Sequence, residues 1–169
     1  MQRHLIDGTY FTFPESWKIV EFDNTEPYSR ASSLGIKGCD LVAINNDDLW
    51  LIEVKDYTYP GASAPGDLSA EVCRKATGTM GLLSFWARSS SHSDVTEFAK
   101  RSIRCTQVIV VLHIELKDGG RGAVQIRPAL ANRLQSLKAT GKPGLKIDKW
   151  AVTSTIAPSS QAPWTTTRD

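Results

Sequence analysis

Hydrophobic and β-branched residues form short segments in the first third of the chain, and polar stretches separate them. Such segments predict four strands, over residues 9–13, 17–22, 39–44 and 49–55. Asn45–Asp48 contains only Asn and Asp, which favour turns, so the last two strands are predicted to form a hairpin. The first two, interrupted by Pro14, are also compatible with a hairpin, and polar residues 24–38 are interpreted as a connection.

Further along the chain the apolar residues change to a helical spacing. The stripe consists of Leu68, Val72, Thr79, Leu82, Leu83 and Trp86. It predicts a helix over 68–88 with Asp67 as its N-cap. Two shorter helices are predicted over 94–101 and 128–139, with Pro128 in the first turn of the second.

An almost unbroken apolar segment, Gln107–Ile114, predicts a strand covered on both faces, and 145–153 predicts a last strand. The order of elements predicts an α/β fold, with a central mixed β-sheet flanked by α-helices. Residues 1–153 are interpreted as a single domain. Residues 154–169 are rich in Ser, Thr and Pro and are predicted to be a loosely ordered tail, with Trp164 either unattached or a docking anchor.

The composition, 41% hydrophobic and 22% charged with a net charge of +2, is that of an ordinary soluble domain. A DNA-binding surface would therefore be a local patch, and one candidate, alternatively a solvated face, comprises Arg88, Lys100, Arg101 and Arg104. No segment reaches the ~20 apolar residues of a membrane span, and no signal-peptide pattern is visible. Three widely spaced cysteines are predicted to be reduced thiols, which favours a cytoplasmic location.

Side-chain alternation on the strand 49–56 places Glu53 and Lys55 on one face. The predicted hairpin brings Asp40 to the same end. Two carboxylates suit Mg²⁺ or Mn²⁺, with the carbonyl of Val54 as a further ligand, and Lys55 would orient or activate a water molecule. The alternative is a chance surface ion pair of little energetic value.

The segment Gly38–Ile44 followed by Leu49–Lys55 resembles the core of the PD-(D/E)xK, or restriction-endonuclease-like, superfamily. In that superfamily an acidic residue on one strand of a hairpin precedes (D/E)-x-K on the next strand, and a helix follows. Cys39 stands in place of the proline, a departure that many members share. The resemblance covers residues 37–56, and more weakly the predicted helix 68–88 and strand 107–114.

The resemblance implies a Mg²⁺- or Mn²⁺-dependent DNA endonuclease of restriction, repair or phage defence, and a homodimer would explain cutting of both strands. A second hypothesis is a catalytically silent or partner-dependent nuclease-like module that binds nucleic acid or a partner protein. Similar proteins often carry a further acid on a helix before the hairpin. Glu15, Glu21 and Asp23 are the candidates here; Asp23 is preferred, with a solvated loop acid as the alternative, so the number of metals is left open.

Lys75 lies on the apolar stripe, three residues after Val72 and four before Thr79. Because similar nucleases send a polar residue from this helix into the site, Lys75 is predicted to contact a carboxylate or the scissile phosphate. The alternative is that it extends to solvent at the edge of the stripe. The remaining candidates are weaker: Arg74 as a surface residue, His113 as a core histidine, His92 in a serine-rich loop, and 118–122 as a turn.

Overall fold

The computed structural model describes residues 1–90, 93–117 and 123–168. The strands are β1 (Gln2–Ile6), β2 (Thr9–Phe13), β3 (Lys18–Glu21), β4 (Leu41–Asn45), β5 (Asp48–Tyr57), β6 (Gln107–Leu116), β7 (Lys149–Thr153) and β8 (Thr165–Arg168). The helices are a 3₁₀ turn (Phe22–Asn24), α1 (Glu26–Ser32), α2 (Leu68–Trp86), α3 (Asp94–Ser102) and α4 (Ala123–Gly141).

The strands form a mixed five-stranded sheet in the order β3-β4-β5-β6-β7 and a three-stranded sheet in the order β1-β2-β8. In the larger sheet β3, β4 and β5 are antiparallel, whereas β5, β6 and β7 are parallel. Helices α2 and α3 connect β5 to β6, and α4 precedes β7, as parallel pairing requires. The predicted α/β fold with a mixed sheet and flanking helices is confirmed.

The two faces of the five-stranded sheet have different covers. On one face, side chains such as Leu51, Leu112 and Val152 join those of α2 and α4 in the larger hydrophobic cluster. On the other face, Phe11 and Phe13 of β2 pack over Ile52, Val111 and their neighbours. The small antiparallel sheet therefore takes the place that a second helical layer would occupy.

The expected hairpin between the first two predicted strands is wrong. Thr9–Phe13 instead pairs with Gln2–Ile6 across a turn in which Asp7 has φ +47° and Gly8 has φ +73°. Lys18–Glu21 belongs to the other sheet and pairs with β4. The sequence pattern concealed β1 because Arg3 and Leu5 are both exposed, so its apolar residues do not mark a buried face.

Helix α4 begins earlier than predicted, so Pro128 lies inside the helix rather than in its first turn. The missing N–H of Pro128 removes one helical hydrogen bond. Burial of Ile126, Leu130 and Leu137 in the larger cluster compensates for that loss. The last predicted strand, by contrast, is shorter than expected, since only Lys149–Thr153 of the 145–153 segment is extended in the sheet.

The C-terminal segment is not the loosely ordered tail that its composition predicts. Thr165–Arg168 pairs antiparallel with β2 and completes the small sheet. Trp164 is only 8% exposed and packs against Phe13, Trp17 and Trp50. A buried tryptophan removes a large apolar area from water, and β-branched threonines suit an edge strand, so this segment is part of the fold.

The structure also bears on the cysteines and on membrane-spanning helices. Cys39 and Cys73 are buried, Cys105 is partly exposed, and all three are free thiols. Within the described ranges, no helix is both long enough and apolar enough to cross a bilayer.

Candidate active site

The β4–β5 hairpin brings Asp40 next to the end of β5. A two-residue turn with Asn46 at φ +53° sets the register, in which Leu41 faces Ile52. Asp40 lies one residue before β4, rather than within the strand as predicted. Its Oδ2 accepts a hydrogen bond of 2.6 Å from the backbone N–H of Val54, which fixes the carboxylate beside Glu53.

Glu53 is the most unusual group in this region, because its side chain is completely buried and charged groups surround it. Lys55 Nζ and Lys75 Nζ both lie 2.6 Å from Glu53 Oε1. These are ion pairs by distance, yet neither carboxylate oxygen has an aligned hydrogen-bond partner among the described residues. Burial, followed by the negative charge of Asp40, raises the pKa of Glu53 to about 7, although both lysines oppose this.

Lys55 projects from the same strand face as Glu53, as alternation predicts. Its ammonium group also lies 3.6 Å from Glu71 Oε1. Burial alone would lower the pKa of Lys55, but the Glu53 carboxylate outweighs it and the pKa is raised. Lys55 is therefore protonated at neutral pH, and it can stabilise negative charge or orient a water molecule but cannot accept a proton.

Lys75 reaches the same carboxylates from α2. Its Nζ lies 3.3 Å from Asp40 Oδ1 and bridges Asp40 to Glu53. Burial opposes its charge, but the two carboxylates overcome this and raise the pKa of Lys75. The prediction that Lys75 contacts a site carboxylate is confirmed, and the alternative of a lysine extended to solvent is wrong.

Helix α2 is held against the start of β4 by Thr79. Its buried Oγ1 accepts a hydrogen bond of 2.8 Å from Cys39 N–H and donates one of 2.9 Å to the carbonyl of Lys75. At the neighbouring Gly78, a Cβ atom would lie only 1.9 Å from the carbonyl oxygen of Lys37. Glycine therefore permits the close approach that places Lys75 beside Asp40.

Sequence reasoning missed two acids near the site. Glu71 lies one helical turn before Lys75 and contacts Lys55, and the i, i+4 spacing from Lys75 was the available signal. Asp7 lies in the β1–β2 turn, where burial and then the charge of Asp40 raise its pKa. No local signal connects Asp7 with Asp40, because β1 was not recognised.

Asp23, the preferred candidate for a further acid, lies in the 3₁₀ turn before α1. Burial and then the negative charge of Asp40 raise its pKa, so it is electrostatically close to the site. The competing candidates lie elsewhere in pairs of their own: Glu15 contacts the N-terminal ammonium group, and Glu21 lies 2.8 Å from His4. A role for Asp23 in metal binding stays a prediction.

Several weaker candidates lie outside the site. Arg74 is 60% exposed and lies 3.7 Å from Asp67. Asp67 occupies the N-cap position of α2 but does not make the predicted capping bond.

His113 is a core histidine, as expected. Lys100 pairs with Glu97, so the proposed phosphate patch has mixed charge. His92 and the 118–122 turn lie outside the described residues.

The donor groups fit a hard divalent cation held by few protein ligands. Asp40 and Glu53 supply two adjacent carboxylates, and Oε2 of Glu53 has no partner among the described residues. The carbonyl of Val54 points to the same strand edge as its N–H, beyond the end of β4. Within the described ranges, no group of three or more His, Cys, Asp or Glu residues could hold a metal. One or two carboxylates suffice for Mg²⁺, which keeps several waters and a substrate phosphate.

Comparison with known proteins gives one partial similarity. No protein-family model matches the chain, and no solved structure matches it. A cysteine--tRNA ligase from Neisseria meningitidis serogroup A is 25% identical over 140 residues. The match covers 63% of this chain but 20% of the ligase, so the chain spans about a fifth of that relative's length.

Proposed function

We propose that this protein is a restriction-endonuclease-like hydrolase that cleaves DNA phosphodiester bonds with Mg²⁺ or Mn²⁺. The observation that carries the proposal is the fully buried Glu53 carboxylate beside Asp40, whose Oε1 contacts two ammonium groups while its Oε2 has no partner within the described residues. A buried carboxylate oxygen without a partner is costly, and a metal ion would supply one. Its neighbours, Lys55 and Lys75, provide the positive charge that phosphoryl transfer requires.

Each side chain has a distinct task in this proposal. Asp40 and Glu53 hold the metal ion, together with the carbonyl of Val54. When bound, the ion polarises the phosphoryl group and makes a bound water more acidic. Protonated Lys55 orients the attacking water and stabilises charge that develops on the phosphate, and Lys75 adds a second cation.

The charges of the site favour a phosphate once a metal is present. Three carboxylates, of Asp40, Glu53 and Glu71, surround the two ammonium groups of Lys55 and Lys75, which leaves about one negative charge in the described structure. A divalent cation adds two positive charges, which makes the cluster positive, and the resulting excess attracts the negative DNA backbone. The overall charge of the chain is only +2, so this local excess would be a main source of affinity for the substrate.

We place this activity in restriction, repair or phage defence in the cytoplasm, where free thiols such as those of Cys39 and Cys73 persist. A homodimer would bring two such sites to opposite DNA strands. A partner subunit of a defence system could serve the same purpose.

A second candidate is a nuclease-like module that is silent alone and binds nucleic acid or a partner protein. The internal neutralisation of Asp40 and Glu53 by Lys55 and Lys75 favours this candidate, because the acids are stably paired without a metal. The chain is also partly similar to a cysteine--tRNA ligase. That relative's name adds tRNA to the substrates worth testing.

The test is a cleavage assay on supercoiled, linear and single-stranded DNA and on tRNA, with Mg²⁺, Mn²⁺ or a chelator. We expect wild-type protein to cut DNA only with metal. The variants Glu53→Ala and Lys55→Ala should lose this activity, whereas Lys138→Ala, a control at an exposed lysine of α4, should retain it. Cleavage that survives Glu53→Ala would reject the assignment, and metal-independent nucleic-acid binding without cleavage would favour the silent module.

A further inference from the structure

We propose that Lys75 is a built-in counter-ion that occupies the cation position between Asp40 and Glu53, and that a divalent metal binds by displacing its ammonium group. The proposal rests on the proposed function, because it concerns the same pair of carboxylates. It adds that metal binding is a competition within the chain.

The position of the Lys75 ammonium group supports competition. Its Nζ lies 3.3 Å from Asp40 Oδ1 and 2.6 Å from Glu53 Oε1, so it lies between the two acids. The other oxygen of Asp40 accepts a hydrogen bond from Val54 N–H, which leaves Oδ1 as the oxygen for a cation. Mg²⁺ requires oxygen ligands at about 2.0–2.1 Å, so it cannot share these oxygens with an ammonium group in the same place.

Lys75 is also the member of the cluster that is able to move. Asp40 is fixed by the N–H of Val54, and Glu53 is fully buried within a central strand. The lysine side chain, by contrast, is a flexible four-carbon stem, and Lys75 extends from a helix rather than from the sheet. A metal that enters the site would therefore move the lysine rather than the acids.

Lys55 provides an internal comparison, since its Nζ is equally close to Glu53. Lys55 has a second carboxylate partner in Glu71, at 3.6 Å. This ion pair remains when Glu53 binds a metal. The contacts of Lys75, in contrast, are to the two proposed metal ligands. We therefore infer that Lys75, and not Lys55, is expelled, and that its ammonium group becomes available to the substrate phosphate.

The test is calorimetric titration of Mn²⁺ into wild-type protein and the variants Lys75→Met and Lys55→Met, at a pH above the pKa of Glu53. Because removal of the competing charge relieves direct repulsion, Lys75→Met should bind Mn²⁺ about tenfold tighter or more. Lys55→Met should change the affinity less. Mn²⁺ should also raise the melting temperature of Lys75→Met more than that of wild type. If the methionine variant does not fold, Lys75→Gln keeps a polar group of similar length.

The outcomes separate this inference from the proposed function. Wild-type binding with equal or weaker affinity in the Lys75 variants would overturn the inference and leave the metal site intact. Binding only after Lys75 is replaced would also overturn the inference, because the metal would then fail to displace Lys75 in the wild-type protein. If neither wild type nor the Lys75 variants bind Mn²⁺, both proposals fail. The variant Asp40→Asn should abolish binding in every background, which shows that any measured heat comes from this site.

Discussion

Two buried glutamates on neighbouring strands, Glu53 and Glu115, show how different the two faces of the sheet are. Glu115 accepts hydrogen bonds of 2.8 Å from His113 Nε2 and 2.7 Å from the backbone N–H of Thr155. Burial would raise its pKa, but these bonds prevail and lower it. Glu53 has ion pairs but no aligned hydrogen bond among the described residues, and its pKa is raised to about 7.

The difference follows from what covers each glutamate. Glu115 lies on the face closed by the small sheet, where His113 also contacts the ring of Phe11 with centroids 4.8 Å apart. Glu53 lies on the helical face, opposite the flexible side chain of Lys75. A carboxylate that accepts hydrogen bonds from its neighbours, as Glu115 does, serves the fold, whereas a buried one without such bonds is suited to bind a ligand.

The largest effect that we expect is loss of catalysis in Glu53→Gln. An amide of the same size cannot supply an anionic metal ligand, so metal-dependent DNA cleavage should fall below detection. The matched variant Glu115→Gln should retain wild-type cleavage, because Glu115 lies on the opposite face. Cleavage assays on both proteins, with circular dichroism as a check of folding, make the measurement; equal losses in the two variants would contradict the comparison.

Replacing Lys55 tests the electrostatic part of the site. Lys55→Met should lower kcat about 10²–10³-fold, the usual cost of removing one preorganised charge-stabilising group. The affinity for DNA, measured by fluorescence anisotropy with Ca²⁺ in place of Mg²⁺, should fall by a smaller factor than kcat. A variant that loses DNA affinity but cuts at the normal rate when saturated would show that Lys55 is a binding residue only.

For the free energy of unfolding we expect the larger effect at Glu115, whereas for catalysis we expect it at Glu53. Glu115→Ala removes the acceptor for both the His113 and Thr155 donors, and we expect it to destabilise the fold by about 1–3 kcal/mol. Equilibrium unfolding in urea gives this value. A Glu115→Ala protein as stable as wild type would mean that the contacts on this face contribute nothing net.

The two glutamates should also give opposite dependences of stability on pH. With a chelator present, native Glu53 binds a proton that the unfolded chain releases between pH 4.5, its ordinary pKa, and about 7. The stability of wild type relative to Glu53→Gln should therefore fall as pH rises through this window. For Glu115, whose pKa is lowered from 4.5, stabilisation is present above that value and lost as pH falls below it. Urea unfolding of wild type and both Gln variants across this range checks the two signs.

The core of the site was predictable because its determinants are local. Strand alternation places Glu53 and Lys55 together, the Asn-Asp turn brings Asp40 beside them, and helical spacing turns Lys75 inward. Each pattern spans only a few residues, so one segment of the chain is enough to predict it. The α/β class followed in the same way from the order of strands and helices.

The rest of the fold depends on contacts between distant segments. β8 pairs with β2, and Trp164 packs against Trp17 and Trp50, although the intervening chain is more than a hundred residues long. Nothing in the Ser- and Thr-rich composition of the C-terminal segment signals this partner. The proximity of Asp7 to Asp40 was hidden for the same reason, because it depends on how the small sheet lies over the large one.

The measurement that tests the central claim most directly is calorimetric titration of Mn²⁺ into wild type, Glu53→Gln and Glu115→Gln. The claim is that the buried Glu53 carboxylate, with Asp40, binds a divalent cation, whereas Glu115 is committed to the fold. We predict saturable binding in wild type and Glu115→Gln and none in Glu53→Gln. Absence of binding in wild type, or unchanged affinity in Glu53→Gln, would contradict it.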